Sequence, residues 1–375
     1  MDLSSEMIHS LLPVFLVSVL GTGAEALGLI EGVAEATASI AKVFSGVWSD
    51  HLGRRKPLVL FGYGLAALAK PLFPLATSAS AVLVARFADR LGKGIRGAPR
   101  DALVADVTPP ELRGTAFGLR QSLDTVGAVL GPLAAIGLTA ALAGNIRAVF
   151  WVAVLPAWAA VALLAVGIEE PAQRADGRSA RTMPHWRDLR LFGAAYWSVV
   201  MIGAMFTLAR FSEAFLILRA HDAGLSLAWT PLALVVMNLT YVASAYPAGK
   251  LSDRIGRVGL LALGLVVLIV ADVVLALGTS LSTTLVGIAI WGFHLGCTQG
   301  LLAALVADTA PTRLRGSAFG VFYLVGGVAT LAASLLAGVL WESAGPAATF
   351  FAGAAFSAAA LAGLFGWRMQ FAPPP

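Results

Sequence analysis

Apolar residues run along this chain in stretches of about twenty, separated by short clusters of glycine, proline and charge. Breaking the sequence at those clusters predicts twelve helices, at 2–21, 26–49, 57–76, 80–105, 115–139, 147–167, 191–216, 228–250, 259–278, 284–307, 317–339 and 347–367. A helix needs about 20 mostly apolar residues to cross the hydrocarbon core of a bilayer. Any one stretch alone would fit a buried helix of a soluble protein. Twelve in series leave no polar surface to cover them. The pattern predicts an all-α membrane protein.

Composition agrees: the chain is 58% hydrophobic and 13% charged, which excludes a soluble enzyme. The opening MDLSSEMIHS carries acids where a cleavable signal peptide has a basic region, so the first stretch reads as a span. Cys297 is the single cysteine and excludes an intramolecular disulfide framework. The net charge of +5 suggests a nucleic-acid partner until its distribution is considered. Of sixteen Lys/Arg in the loops or at the ends of the predicted helices, fourteen fall on one side, and only Arg147 and Arg219 on the other. Basic loops stay cytoplasmic. The surplus is topological: both termini and the central loop face the cytosol, and no nucleic acid is implied.

The chain is written twice. Residues 102–119, ALVADVTPPELRGTAFGL, return as ALVADTAPTRLRGSAFGV at 304–321, identical at twelve of eighteen positions with an offset of 202. GVWSDHLGR at 46–54 returns as GKLSDRIGR at 249–257. Both copies keep one membrane orientation, because six predicted helices lie in each. Parallel repeats about an axis along the membrane normal are a transporter architecture. Between them, 169–190 is the one long polar stretch, a linker with five Arg and four acids.

Twelve helices, a polar central loop and the G-x-x-S-D-x-x-G-R motif after the second and eighth helices resemble the major facilitator superfamily across the whole chain. The resemblance implies two six-helix bundles, 1–168 and 191–375, related by a pseudo-two-fold axis, with 169–190 a cytoplasmic linker and the first helix shortened. It implies a monomeric multi-pass transporter of the cell inner membrane, not an enzyme, without cofactor and driven by an ion gradient. Its partners are a small-molecule substrate, protons and the lipid bilayer. By the same resemblance the motif residues gate the cytoplasmic side: Gly46, Asp50, Gly53, Arg54 and Arg55 in one copy, Gly249, Asp253, Arg254, Gly256 and Arg257 in the other. Asp106 and Asp308 are the expected latch partners, with Arg113 and Arg315 beyond them. GAVLGPLAA at 127–135 resembles the motif of proton antiporters, through Gly127, Gly131 and Pro132, though Ala134 and Ala135 replace its closing glycines. It implies export in exchange for protons, and its small residues suit packing against the other half.

Charge concentrates in RFADRLGKGIRGAPRD, 86–101. This stretch contains G-x-G-x-x-G, but a nucleotide-binding fingerprint needs a preceding strand, and here an apolar helical run precedes it. At 100° per residue, Arg86, Asp89, Arg90, Lys93, Arg96, Arg100 and Asp101 share one face, spread over about 22 Å. Five cations cannot face lipid when each costs roughly 2.5–3.5 kcal/mol at mid-membrane. They border either a closed ion-pair network that fixes helix packing, or a hydrated cavity that binds an anionic group and relays protons. Glu31, Glu35 and Lys42 on the second helix, and Arg120 and Asp124 on the fifth, are available to pair with them.

The second half does not repeat this ridge. It offers Arg210 and Glu213, Asn238 and Tyr241, and the stripe Trp291, His294, Thr298. An ionic wall facing an aromatic, polar one suits an amphipathic organic substrate. The predicted binding residues are therefore Arg86, Arg90, Lys93, Arg96, Arg120, Arg210, Glu213, Asn238, Tyr241, Trp291 and His294. Glu31, Glu35 and Asp124 are the expected proton-coupling carboxylates. Asp272, in the ninth helix, is expected to be peripheral. The function expected is proton-coupled export of an anionic or zwitterionic organic compound. Uptake of an organic anion and divalent-metal export stand as alternatives, although no His/Cys spacing resembles a metal site.

Overall fold

The computed structural model describes residues 1–52, 55–107, 113–167, 192–298, 301–310 and 315–371. Every regular element among them is helical. Helix ends follow the punctuation of the sequence. Ser78 Oγ accepts the Ala81 N–H at 3.3 Å, and Ser280 Oγ accepts the Thr283 N–H at 3.3 Å. These two N-caps stand 202 residues apart, so the duplication repeats a cap together with its geometry. Asn145 caps in the same way, its Oδ1 accepting the Ala148 N–H at 3.1 Å. Each such cap contributes about 1 kcal/mol. Gly345, at φ 86°, stops one helix with its N–H on the Trp341 carbonyl at 3.1 Å, and Pro346 opens the next.

The chain forms two compact units. The first comprises Met1–Thr22 and Val33–Met183. It holds α1 (Asp2–His9), α2 (Leu12–Val14), a π-helical turn at Phe15–Val19, and α3 (Ala24–Leu52) from Val33 onward. Then follow α4 (Lys56–Ala69), α5 (Leu72–Leu75), α6 (Ala79–Val107), α7 (Arg113–Ala141) and α8 (Ile146–Gly167). The third predicted helix is split between α4 and α5 at Lys70–Pro71, where the proline ring supplies no N–H to continue the ladder. Helix α6, by contrast, runs through Pro99 as one element. Within this unit α1 packs on α7 and α8, and α4 on α6 and α8. Phe150 packs edge-on to Phe15 and Phe73 at 5.2 and 6.4 Å.

The second unit comprises Gly23–Gly32, the opening turns of α3, with Pro184–Pro375. It holds α9 (Ala194–Ala209), α10 (Ala214–Asp222), a 3-10 turn at Leu227–Trp229, α11 (Leu232–Leu277), α12 (Leu281–Thr298), α13 (Leu301–Thr309), α14 (Arg315–Ala344) and α15 (Pro346–Phe371). Helix α11 contains the eighth and ninth predicted helices, joined through Gly256 at φ 74° and ψ 164°. The seventh predicted helix breaks between α9 and α10. No proline marks the break; the Ser212 hydroxyl accepts the Ala214 N–H at 3.3 Å and starts the second piece. Helix α11 packs on α12 and α15, and α9 on α14 and α15.

Ten helical stretches among the described residues are long and apolar enough to cross a membrane. Helices α3 and α6 have the length, 29 residues each, but carry charge along it. The linker 169–190 lies outside the described residues.

Candidate functional site

In the first unit the charges of α6 meet charges of α1, α3, α4 and α7. Lys70 Nζ lies 2.8 Å from Asp89 Oδ1 and donates to Ser5 Oγ at 2.9 Å. Arg86 places Nη1 4.0 Å from Asp89 Oδ2 and Nη2 2.8 Å from His9 Nδ1. Guanidinium only donates, so that ring nitrogen is the acceptor. Arg90 Nε sits 3.3 Å from Glu35 Oε1 and 4.0 Å from Asp89 Oδ2. Lys70, Arg86, Asp89 and Arg90 are each at most 3% exposed, so this is a dry lattice.

Toward the other end of α6 the lattice loosens. Arg96 lies over the Tyr63 ring at 4.4 Å and reaches Asp2 at 3.8 Å. Arg100 and Arg120 share Asp101 and Asp124 at 3.2–3.7 Å, all four half-buried. Lys93 differs from its neighbours: it is exposed and makes no hydrogen bond or ion pair among the described residues. Arg90, Glu35 and Glu6 lie within electrostatic reach of it.

Gly92 and Gly94 are notches in α6. A β-carbon on Gly92 would stand 2.6 Å from the Gly62 carbonyl oxygen, and one on Gly94 2.6 Å from the Ala41 β-carbon. Helix α6 is thereby pressed onto α4 and α3. Gly127 and Gly131 are notches too, but their neighbour within this unit is α1: a β-carbon there would fall 3.0 Å from that of Asp2 and 2.5 Å from that of Glu6. Thr139 donates to the Ala135 carbonyl at 2.7 Å, so the helix continues past Pro132 to Ala141.

Glu31 and Glu35 share a helix face, yet Glu31 belongs to the second unit. It is fully buried and accepts from Ser212 Oγ at 3.4 Å. Also in that unit, Arg210 ends α9 with its guanidinium 5.3 Å from the Phe206 ring and 5.9 Å from the Trp291 ring. Its Nε has no hydrogen-bond partner among the described residues, while Glu213 and Tyr241 lie within electrostatic reach. Trp291 and His294 were placed on the aromatic, polar wall of a cavity, His294 with a packing role as the alternative; both are buried in the helix packing. His294 Nδ1 donates to the Trp291 carbonyl, and the two rings pack edge-on at 4.8 Å. Burial follows from Gly292 and Gly296, whose β-carbons would collide with Met237, Thr240 and Ser244, pressing α12 onto α11. Asn238 Nδ2 donates to Leu234 at 2.9 Å, one turn before Tyr241.

At the second motif copy, Arg257 Nη1 lies 3.0 Å from Asp308 Oδ2, both side chains 56% exposed. An exposed pair contributes about 0–1 kcal/mol, so such a contact breaks readily. The side chains of Asp50, Asp106, Arg113, Gly249, Asp253, Arg254 and Arg315 lie outside the described set, as do Gly53 and Arg54 altogether. Arg55 is half-buried before α4, and a β-carbon on Gly46 would meet that of Ala98 at 3.4 Å. Arg147 and Arg219 close helix ends: Arg147 donates to the Pro74 carbonyl at 2.7 Å, and Arg219 to those of Leu275 and Gly278. Among the described residues no three His, Cys, Asp or Glu converge as a metal set.

Sequence reasoning passed over Lys70, Ser5, His9 and Tyr63. A lysine between an apolar run and a proline, AALAKPLF, is itself the signal for Lys70, since ionisable residues inside spans have partners.

Long apolar helices around buried ionic lattices define a polytopic membrane transporter. The sequence profile of the Major Facilitator Superfamily matches residues 1–239 and 214–375. An uncharacterised MFS-type transporter of Methanocaldococcus jannaschii is 32% identical over 363 residues, 94% of this chain and 88% of that protein. The chain belongs to the Major Facilitator Superfamily. A probable 4-methylmuconolactone transporter of Cupriavidus pinatubonensis is 28% identical over 335 residues, 86% of this chain and 76% of that one. The crystal structure of the human organic anion transporter MFSD10 superposes with a TM-score of 0.71 at 20% identity, covering 97% of this chain and 96% of that chain.

Proposed function

We propose that the protein is a secondary transporter working by alternating access, which exports a small amphipathic organic compound bearing an anionic or zwitterionic group in exchange for protons. Twelve spans complete it, α3 and α6 being the second and fourth, with both termini in the cytosol of a cell with this as its inner membrane. The observation that carries the reading is Lys93. It stands exposed at the centre of a ridge whose neighbours are all matched to carboxylates or rings. An ammonium facing hydrocarbon is costly, so it borders water and is the place for a substrate anion. Glu35, 36% exposed and paired to Arg90, is the carboxylate best placed to trade its partner for a proton as the anion arrives. Asp124, between Arg100 and Arg120, is the second. In the second unit, taken by itself, Arg210 is a cation held among aromatic rings.

Proteoliposomes with an imposed pH gradient test this with fluorescein as the organic anion, ethidium as the cation and manganese as the divalent metal. Fluorescein should be moved by the gradient. Lys93→Gln should lower its apparent affinity by roughly 10- to 100-fold, the effect of losing one charge-assisted hydrogen bond, with the fold intact. Movement of ethidium or manganese alone, or full activity in Lys93→Gln, would refute the reading.

A further inference from the structure

Asp272 lies in α11, is 0% exposed, and neither carboxylate oxygen has a hydrogen-bond partner among the described residues. Its surroundings are specific. Helix α15 passes it at Gly353, where a β-carbon would stand 2.7 Å from Asp272 Oδ2, 3.1 Å from the Phe211 ring and 3.3 Å from the Ala209 carbonyl oxygen. Only a glycine leaves room for the carboxyl. The Ala209 carbonyl is the last of α9. The turn that would have used it is missing, because the backbone bonds step from Arg210 N–H on Thr207 to Phe215 N–H on Ser212. The Asp272 carboxyl and the Ala209 carbonyl, to which no N–H among the described residues bonds, thus both border the space that Gly353 keeps clear.

Both groups are acceptors, and an ionised carboxylate there would be shielded from solvent, with no counter-ion paired to it among the described residues. Among the described residues no cation is paired with it. On α10, Arg219 is committed to the Leu275 and Gly278 carbonyls and His221 Nδ1 to its own loop at Leu225. Neither Arg210 nor Glu213 at the break, nor His294 on α12, forms a hydrogen bond with it among the described residues. Position 272 is also the repeat partner of position 70. In the first unit that position holds Lys70, bound to Asp89; in the second it holds an acid without a base.

We propose that Asp272 is a proton-binding site of the second unit, holding its hydrogen toward the Ala209 carbonyl at the break between α9 and α10. The bound proton stands on this geometry alone. Its use in coupling rests on the exchange reading above: the break is where a straightening helix would take back the Ala209 carbonyl, leave the acid without an acceptor and let the proton go.

Infrared difference spectra of the full chain in lipid at neutral pH, without substrate, read the proton directly. The carboxylic-acid C=O band should be present and be lost in Asp272→Asn, whereas Asp308→Asn, which removes an exposed ion-paired carboxylate, should leave it. Gly353→Ala keeps the acid but crowds it, and should shift the band. An undiminished band in Asp272→Asn, or an unshifted one in Gly353→Ala, overturns the site. In fluorescein-loaded proteoliposomes, Asp272→Asn should drop gradient-driven flux to the level without a gradient while exchange at equal pH persists. Full gradient-driven flux in that variant overturns the coupling role and leaves the infrared result standing. Failure of the wild-type protein to move fluorescein counts against the substrate class, since the spectra contain none.

Discussion

Lys70 and Asp272 occupy one position of the duplicated sequence, 202 residues apart, and both are fully buried. The helix crossing around them is also kept. Gly62 faces Arg96 in the first copy, and Gly264 faces Thr298, its repeat partner, in the second. What differs is the company. Lys70 has Asp89 at 2.8 Å and Ser5 at 2.9 Å, while the positions that would answer Asp272 hold Trp291 and other uncharged groups. One half has used the site for a closed ion pair; the other has kept a lone titratable group in an apolar wall. The ancestral crossing tolerates charge there, and the two halves have separated what they do with it.

The sharpest way to break this contrast is at the pair. Lys70→Met takes the nearest of three cations from buried Asp89, leaving Arg86 and Arg90 at 4.0 Å, and should destabilise by about 3 kcal/mol, seen as a fall in the thermal midpoint in detergent; Lys70→Met with Asp89→Leu should regain part of it. Equal losses in the single and double variants would mean that the ion pair is not what stabilises the crossing. At the lone acid the effect should be smaller. Asp272→Leu removes no ion pair and at most one neutral hydrogen bond, so the loss should stay within about 1.5 kcal/mol; a loss as large as that of Lys70→Met would mean that Asp272 is ionised and paired. The smallest effect belongs to the surface. Arg257→Gln should cost at most about 1 kcal/mol, with the effect vanishing in high salt.

The spans were legible because crossing a membrane demands long apolar runs, and Ser78, Ser280, Gly345 and Pro346 mark ends by local chemistry that needs no tertiary context. The charged face of α6 was legible for the same reason: helical periodicity is a property of one segment. Its partners were not. Periodicity says that Asp89 and Arg90 look one way; it does not say that Lys70, His9 and Ser5 look back. Asp272 was read as peripheral because lipid is as apolar as a protein core. A run such as LVVLIVADVVLAL looks alike whether its acid faces a helix or a membrane. Trp291 and His294 were misplaced on the same ground, an aromatic stripe fitting a packed seam as well as an open wall. The break at Arg210 escaped because no glycine or proline announces it.

Gly62 and Gly92 have a mechanical consequence. Where two main chains touch with only hydrogens between them, neither helix can roll or slip past the other without collision. Helices α4 and α6 are keyed together at that crossing, and any larger side chain at either glycine would force them apart.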